Sequence, residues 1–353
     1  MSAGLASARD AQAADDASLV ASLSLAQKVL LLSGADNWST PGADALGLRP
    51  MILSDGPAGA RGVILDERHP STSLPCPSAL GATWDPELVR ELAAALGAEA
   101  SSKGIHVLLG PTINLMRTPV GGRGFECFSE DPVLTAQLAV GYVSGLQEAG
   151  VAATLKHFVG NDSETQRWSY DARISERVLR ELYLVPFEAC VRQARAAVVM
   201  AAYNKVNGVP MTENARLLKD VLKDEWGFDG VVTSDWHATR STVATALGGL
   251  DLAMPGPDGP WGEQLAQAVA SGLVAQEVID DKLLRILRLA RRVGALASSA
   301  ADGAAARSGA GPRLVGEDLL RRATAASFVL LSNVGQTLPL RMRDISRVAV
   351  IGP

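Results

Sequence analysis

Gly230-Val231-Val232-Thr233-Ser234-Asp235-Trp236 is the stretch that decides the fold. Its apolar, β-branched half predicts a buried strand over 231–234, and that strand ends on an acid followed by an aromatic ring. Outward from it, short apolar runs predict further strands at 51–54, 106–109, 152–155, 197–201 and 251–254. They close on polar or turn-forming residues: Asp55-Gly56-Pro57, Gly110-Pro111, Lys156-His157, Tyr203-Asn204 and Pro255-Gly256. Between the runs lie amphipathic stretches that predict helices over 86–103, 132–149, 175–194, 214–225 and 276–293. The first of these has Leu88, Leu92 and Leu96 on one face and Pro86 in its first turn.

Strand then helix, repeated, is the pattern of a parallel sheet with crossover helices, the α/β class. A doubly wound open sheet would carry Gly-x-Gly-x-x-Gly after its first strand, and no such run follows residue 54. Polar groups gathered at the strand ends fit instead a (β/α)8 TIM-like barrel, whose strands all open by their carboxyl ends on one pocket. The barrel is expected over 1–294. Residues 295–313 turn to Ala, Ser and Gly and read as a linker. Beyond it come a helix-like stretch at 317–327, an apolar run at 328–332 and Val348-Ala349-Val350-Ile351-Gly352-Pro353. That last run predicts a buried strand with no following element to cover it, so the chain is expected to be a fragment or one piece of a nicked polypeptide.

The 353 residues are 47% hydrophobic and 20% charged, enough apolar material for a large core. A net charge of −5 with no Lys/Arg run would repel a phosphate backbone, which argues against a nucleic-acid partner. Cys76, Cys127 and Cys190 are too scattered for a disulfide framework or a zinc spacing and read as isolated thiols. His69, His106, His157 and His237 show no metal-ligand pairing, so neither a metal nor another cofactor is expected. No uncharged apolar run approaches the ~18 residues of a membrane span, and no membrane partner is expected. No export signal is visible, which makes a cytoplasmic location the default and a secreted one the expectation if a leader was removed.

Asp235, at the tip of an apolar strand and beside an aromatic wall, is well placed for a carboxylate nucleophile acting on a sugar. It is equally well placed to cap a following helix, and this segment alone does not choose. The other strand tips bear on the choice. Ser54-Asp55-Gly56-Pro57 with Arg61 comes first, then Gly122-Arg123-Gly124 followed by Phe128-Ser129-Glu130-Asp131-Pro132. Lys156-His157-Phe158 follows, with Asn161, Glu164 and Arg167 after it, then Met200-Ala201-Ala202-Tyr203-Asn204 and Thr233-Ser234-Asp235-Trp236. In this order the five resemble the motifs of glycoside hydrolase family 3, in its β-glucosidase branch, from about residue 25 to the terminus.

The resemblance implies a retaining β-glycosidase, specifically a β-glucosidase, releasing terminal β-D-glucosyl residues through a covalent intermediate on Asp235. Its substrate would be a small-molecule β-glucoside or an oligosaccharide. Asp55 would accept hydrogen bonds from sugar hydroxyls, while Arg61, Arg123, Lys156 and His157 would donate to the others. That division is chemically sound, since a carboxylate accepts and Arg and Lys only donate. Tyr203 would orient Asp235, Met200 would pack on the pocket floor and Trp236 would flank the entrance. In this branch an α/β sandwich domain follows the barrel and supplies the general acid/base, a Glu. Residues 314–353 would be the start of that domain, and the C-terminal portion of the same protein would be needed as a partner, in cis or as a second chain. The β-N-acetylhexosaminidase branch instead carries an Asp-His pair after Lys-His, and here the loop Phe158-Val159-Gly160-Asn161-Asp162-Ser163-Glu164 has no second histidine.

Plainer readings stand beside these. Arg61 and Arg123 could be rim ion pairs, Met200 simple core, Glu164 and Arg167 loop buttresses, and Glu130 and Asp131 helix caps. Two other functions stay open: a Schiff-base aldolase using Lys156, and a non-catalytic sugar-binding fragment.

Overall fold

The computed structural model describes residues 14–64, 66–296 and 313–351. In chain order its strands are β1 (Leu53–Asp55), β2 (Val107–Leu109), β3 (Ala152–Phe158), β4 (Asp171–Ala172), β5 (Val198–Ala201), β6 (Lys205–Val206), β7 (Val209–Pro210) and β8 (Val231–Ser234). Five of them form one parallel sheet in the order β1-β2-β3-β5-β8, so each crossover leads to the next strand. All seven residues of β3, and all four of β5 and of β8, are buried, because helices cover one face and the interior fills the other.

Past β8 the sheet continues through isolated bridges, Thr233 to Leu252 and Ala253 to Ser33, both parallel, and then Ser39 to Ile52, antiparallel. Backbone pairing thus runs from β8 round to the edge of β1, and the parallel sheet curls. The α/β class is as expected, but among the described residues the parallel sheet holds five strands and not the eight of a closed barrel. The run 251–254, expected as a strand, contributes only bridges at Leu252 and Ala253, and Pro255 just beyond has no N–H to extend a ladder.

The crossover helices follow local signals. Pro86–Ser102 and Pro132–Glu148 each start behind an Asp, Asp85 or Asp131, whose carboxylate accepts two backbone N–H groups, with Pro at the first helical position. Asp131 is therefore a helix cap. These two helices pack so closely that a Cβ on Gly145 would stand 2.1 Å from the Arg90 carbonyl oxygen. The helix expected over 175–194 is broken. Ser175 caps Glu176–Val178, a wider π turn runs over Leu179–Tyr183, and a regular helix resumes at Val185–Ala194, where Pro186 withholds an N–H from the preceding turn.

Two findings concern the C-terminal residues. The helix Glu317–Ala326 lies on the helices Pro77–Ala82 and Pro86–Ser102, with Ala323 buried in the main core and an ion pair from Arg322 to Glu91. The Val315 N–H donates to Thr72 Oγ1 at 3.0 Å, so this segment is laid against the first body. The predicted buried strand after 347 is absent among the described residues: 348–351 form no strand, and Val350 is 96% exposed. An apolar run becomes a buried strand only where another element pairs and covers it, and no described strand does so here. Of the expected linker, 297–312 lie outside the described residues, as do Gly352 and Pro353. No described helix is long and apolar enough to cross a membrane.

Candidate active site

The carboxyl ends of β1, β2, β3, β5 and β8 open on a cavity of about 260 Å³. Eight of the nine residues singled out in the sequence line it: Asp55, Arg123, Lys156, His157, Met200, Tyr203, Asp235 and Trp236. Arg61 does not; it is exposed, and its guanidinium lies 5.1 Å over the ring of Trp38, which does line the cavity. Leu109, Glu126 and Arg167 complete the wall. Trp38 and Glu126 escaped the sequence reading. Trp38 precedes β1 in a segment brought to the sheet only by a tertiary bridge, whereas the spacing of Glu126, three residues after Arg123, is a signal that could have found it.

Asp235 follows β8 directly and is 7% exposed. Its Oδ1 accepts the Trp236 N–H at 2.8 Å. Its Oδ2 is buried without a hydrogen-bond partner, 3.6 Å from His157 Nε2. It caps no helix, since the next one, Val243–Gly248, begins after Thr242. Burial raises its carboxyl above the ordinary 3.8, against the pull of the Trp236 N–H, Lys156, Tyr203 and Arg123. Burial and the nearby Asp235 push the Tyr203 phenol up in turn, so it keeps a proton that it can donate.

Lys156 and His157 are neighbours in β3 yet both face the cavity. A regular strand would send them to opposite faces, and the register shift between Leu155 and Phe158 removes that constraint. Lys156 Nζ stands 2.8 Å from Asp55 Oδ1. Burial alone would raise the Asp55 carboxyl, but Lys156, the Gly56 N–H and Arg123 outweigh it and hold it below 3.8. One cavity thus contains two carboxyls moved in opposite directions, the arrangement that separates roles between acids in an active site.

Arg123 is gripped as a fork by Glu126, with Nε to Oε1 at 3.0 Å and Nη2 to Oε2 at 2.8 Å, and Thr112 Oγ1 donates to Oε2 at 3.2 Å. Burial disfavours the guanidinium charge and Glu126 more than offsets it. Aromatic rings form the rim. Trp38 and Trp236 lie 5.4 Å apart, Trp236 Nε1 donates to the Asn37 carbonyl at 2.9 Å, and Trp168 lies 4.1 Å from Tyr203. The small sheet β4-β6-β7, turned at Asn207-Gly208 with both residues at positive φ, flanks the loop that sets Arg167 5.0 Å over the Tyr203 ring.

Of the three carboxyl groups lining the cavity, only Asp235 has a buried oxygen without a hydrogen-bond partner, while Asp55 and Glu126 are each held by a cation. Asp162, raised by burial to about 6, lines a neighbouring cavity of about 20 Å³ that shares Arg123 and His157 with the first. Among the described residues no three His, Cys, Asp or Glu side chains come together as a metal set. The site can hold a polyol and present one carboxylate to it.

A domain model described as the glycosyl hydrolase family 3 N terminal domain matches residues 42–289. The chain belongs to glycosyl hydrolase family 3. Within the family, a β-glucosidase of Rhizobium radiobacter is 47% identical over 340 residues, covering 94% of this chain and 40% of its own length. The β-glucosidase of Kluyveromyces marxianus superposes with a TM-score of 0.86 at 38% identity, over 92% of this chain and 40% of that one. β-Glucosidase 3B of Thermotoga neapolitana, solved in complex with α-D-glucose, superposes with a TM-score of 0.84 at 34% identity, over 93% of this chain and 48% of that one. The chain therefore spans less than half the length of these family 3 relatives. The matched family 3 span takes in every cavity residue from Asp55 to Trp236 and leaves Trp38 just outside it.

Proposed function

We propose that this chain is the sugar-holding, nucleophile-bearing part of a retaining β-glycosidase, a β-glucosidase acting on small β-glucosides or oligosaccharides. The observation that carries the reading is Asp235 Oδ2, a buried carboxylate oxygen without a partner, facing a cavity otherwise lined by donors, paired acids and aromatic rings. About 260 Å³ suits one sugar ring better than a drug-sized ligand, whose pockets run about 300–1,000 Å³. Names among the relatives, and the glucose bound in one of them, support the substrate class.

In this reaction Asp235 attacks the anomeric carbon as the bond to the aglycone oxygen breaks, forming a glycosyl ester. The leaving oxygen takes a proton from an acid about 5–5.5 Å from the nucleophile, which then activates the water that hydrolyses the ester with retention. Lys156, Arg123 and Arg167 grip hydroxyls, Asp55 accepts from them, and Tyr203 orients Asp235. The cavity's other two carboxyls, Asp55 and Glu126, are both paired with cations. We assign that acid to a portion of the protein beyond this chain, an α/β sandwich domain begun by residues 314–353, and read the curled sheet as the family's TIM-like barrel.

An activated 2-fluoro-glucoside tests this. It should add its sugar to the peptide containing Asp235 and leave Asp235→Asn unlabelled. If the chain is assayed alone, activated aryl glucosides should react far better than alkyl ones, since absent general acid catalysis costs on the order of 10²–10⁴-fold. Equal rates on both would show the acid to be within the chain. A sugar that binds without ever labelling Asp235 would favour the binding-only reading. A borohydride-trapped adduct on Lys156 would favour the aldolase, against which stands the Lys156 ion pair with Asp55.

A further inference from the structure

Asn114 is 4% exposed, and its amide is engaged by His157 alone. Its Nδ2 donates to the His157 carbonyl at 2.9 Å, and its Oδ1 accepts the His157 backbone N–H at 2.8 Å. These two bonds settle which end of the amide is oxygen. That oxygen also lies 3.2 Å from His157 Nδ1, and since a carbonyl oxygen only accepts, the contact requires a proton on Nδ1. On the far side of the ring, Arg123 Nη1 lies 3.2 Å from Nε2. A guanidinium only donates, so Nε2 must be bare. Glu126 holds Arg123 by its Nε and Nη2, which leaves Nη1 directed at the imidazole. Two contacts from opposite sides demand the same tautomer.

The consequence reaches the nucleophile. Asp235 Oδ2, without a hydrogen-bond partner, stands 3.6 Å from Nε2, and a proton there would draw this contact into a hydrogen bond with the lone pair that attacks. We infer that Asn114 is a positioning residue which, with Arg123, holds His157 as its neutral Nδ1–H tautomer and so keeps the attacking oxygen of Asp235 free. The inference rests on Asp235 being the nucleophile, whereas the tautomer does not. Burial and the charges of Arg123, Lys156 and Arg167 hold the imidazole well below 6.5, which keeps it neutral. Toward a sugar, a bare Nε2 has no proton to give and its one lone pair already accepts from Arg123, so the donor role expected from the motif is closed to it.

The test is a long-range 1H–15N correlation spectrum of the protein carrying 15N-histidine, with the His157 signals assigned by their loss in His157→Gln. The expected result is a protonated Nδ1 and a bare Nε2 throughout about pH 6–8, the range in which an ordinary histidine titrates. An Nε2–H tautomer or an imidazolium would overturn the inference, whether or not the Asn114 variants fold. Asn114→Asp places a carboxylate where an amide oxygen sat. It should produce the imidazolium and slow fluoroglucoside labelling of Asp235 by about 10–100-fold, the worth of one charged hydrogen bond. Asn114→Ser, whose hydroxyl can donate or accept, should release both tautomers and slow labelling less. An imidazolium in Asn114→Asp with labelling at the parent rate would overturn the role. The expected wild-type spectrum with no labelling of Asp235 at all would instead remove the nucleophile reading and leave the tautomer standing.

Discussion

The ammonium of Lys156 stands 2.8 Å from the carboxylate of Asp55, joining the ends of two strands across 101 residues of sequence. Lys156 is 3% exposed, a burial that only a partner makes tolerable. Asp55→Asn should cost about 1–2 kcal/mol of stability, less than the 3–5 of a fully buried pair, because solvent screens the half-exposed Asp55. Since Asp55 is held below 3.8, its contribution is present above that value and lost as pH falls through the lower folded value. Urea unfolding of the two proteins should therefore show a constant gap at neutral pH that closes below pH 3.8. A gap that persists in acid would mean that the pair is not its source.

Asp235→Asn should act in the opposite sense. Burial raises this carboxyl, so its contribution is fully present below 3.8, where it is protonated folded or unfolded, and is lost as pH rises through the folded value. The variant should be more stable than the parent at neutral pH by about 0.5–2 kcal/mol, with the advantage vanishing in acid. Glycosidase activity should drop by on the order of 10⁴–10⁶-fold. Thermal melts at several pH values check the first part and labelling kinetics the second.

Lys223 and Asp251 form a second ion pair, fully out of solvent at Asp251, at 2.6 Å. The free Asp251 oxygen accepts the Val232 N–H at 2.8 Å, which ties this pair to β8. Asp251→Ala should cost about 3–5 kcal/mol by stranding a buried ammonium, and adding Lys223→Met should recover part of that loss. Denaturant midpoints of the two single variants and the double variant decide it. Additive losses would refute the pairing.

Trp38 and Trp236 face each other at the rim, 5.4 Å apart. Trp38→Ala removes one wall and the seat of Arg61 without touching Asp235. KM for an aryl glucoside should rise about two- to tenfold, the worth of one aromatic contact, while kcat stays close to the parent value. A comparable fall in kcat would place Trp38 in the chemistry itself.

Local signals explain which elements could be read in advance. The helix Pro86–Ser102 ends within one residue of its expected bounds because Asp85 and Pro86 mark its start and its apolar spacing marks its face. The helix expected over 175–194 breaks at a proline whose effect depends on which carbonyl it leaves unpaired. The run at 251–254 was read by its apolar content, yet its pairing depends on single bridges to Thr233 and to Ser33, the latter more than 200 residues away. At the site, Lys156, His157 and Asp235 were legible because each ends an apolar run. Asn114 was not, because what it does is set by the partner it meets, and Glu126 was legible only through its spacing from Arg123.

The sequence by itself determined five of the buried strands, β1, β2, β3, β5 and β8, and which reactive side chains stand at their carboxyl ends, because there burial and strand order follow from apolar content and from the alternation of elements. Only the tertiary structure decided how the sheet curls, why two successive residues of β3 face one cavity, and why Asp55 and Asp235 are moved in opposite directions. Those properties come from distance and desolvation. Asp55 has an ammonium at hydrogen-bonding distance, Asp235 has a buried oxygen with none, and no local run of residues encodes that difference.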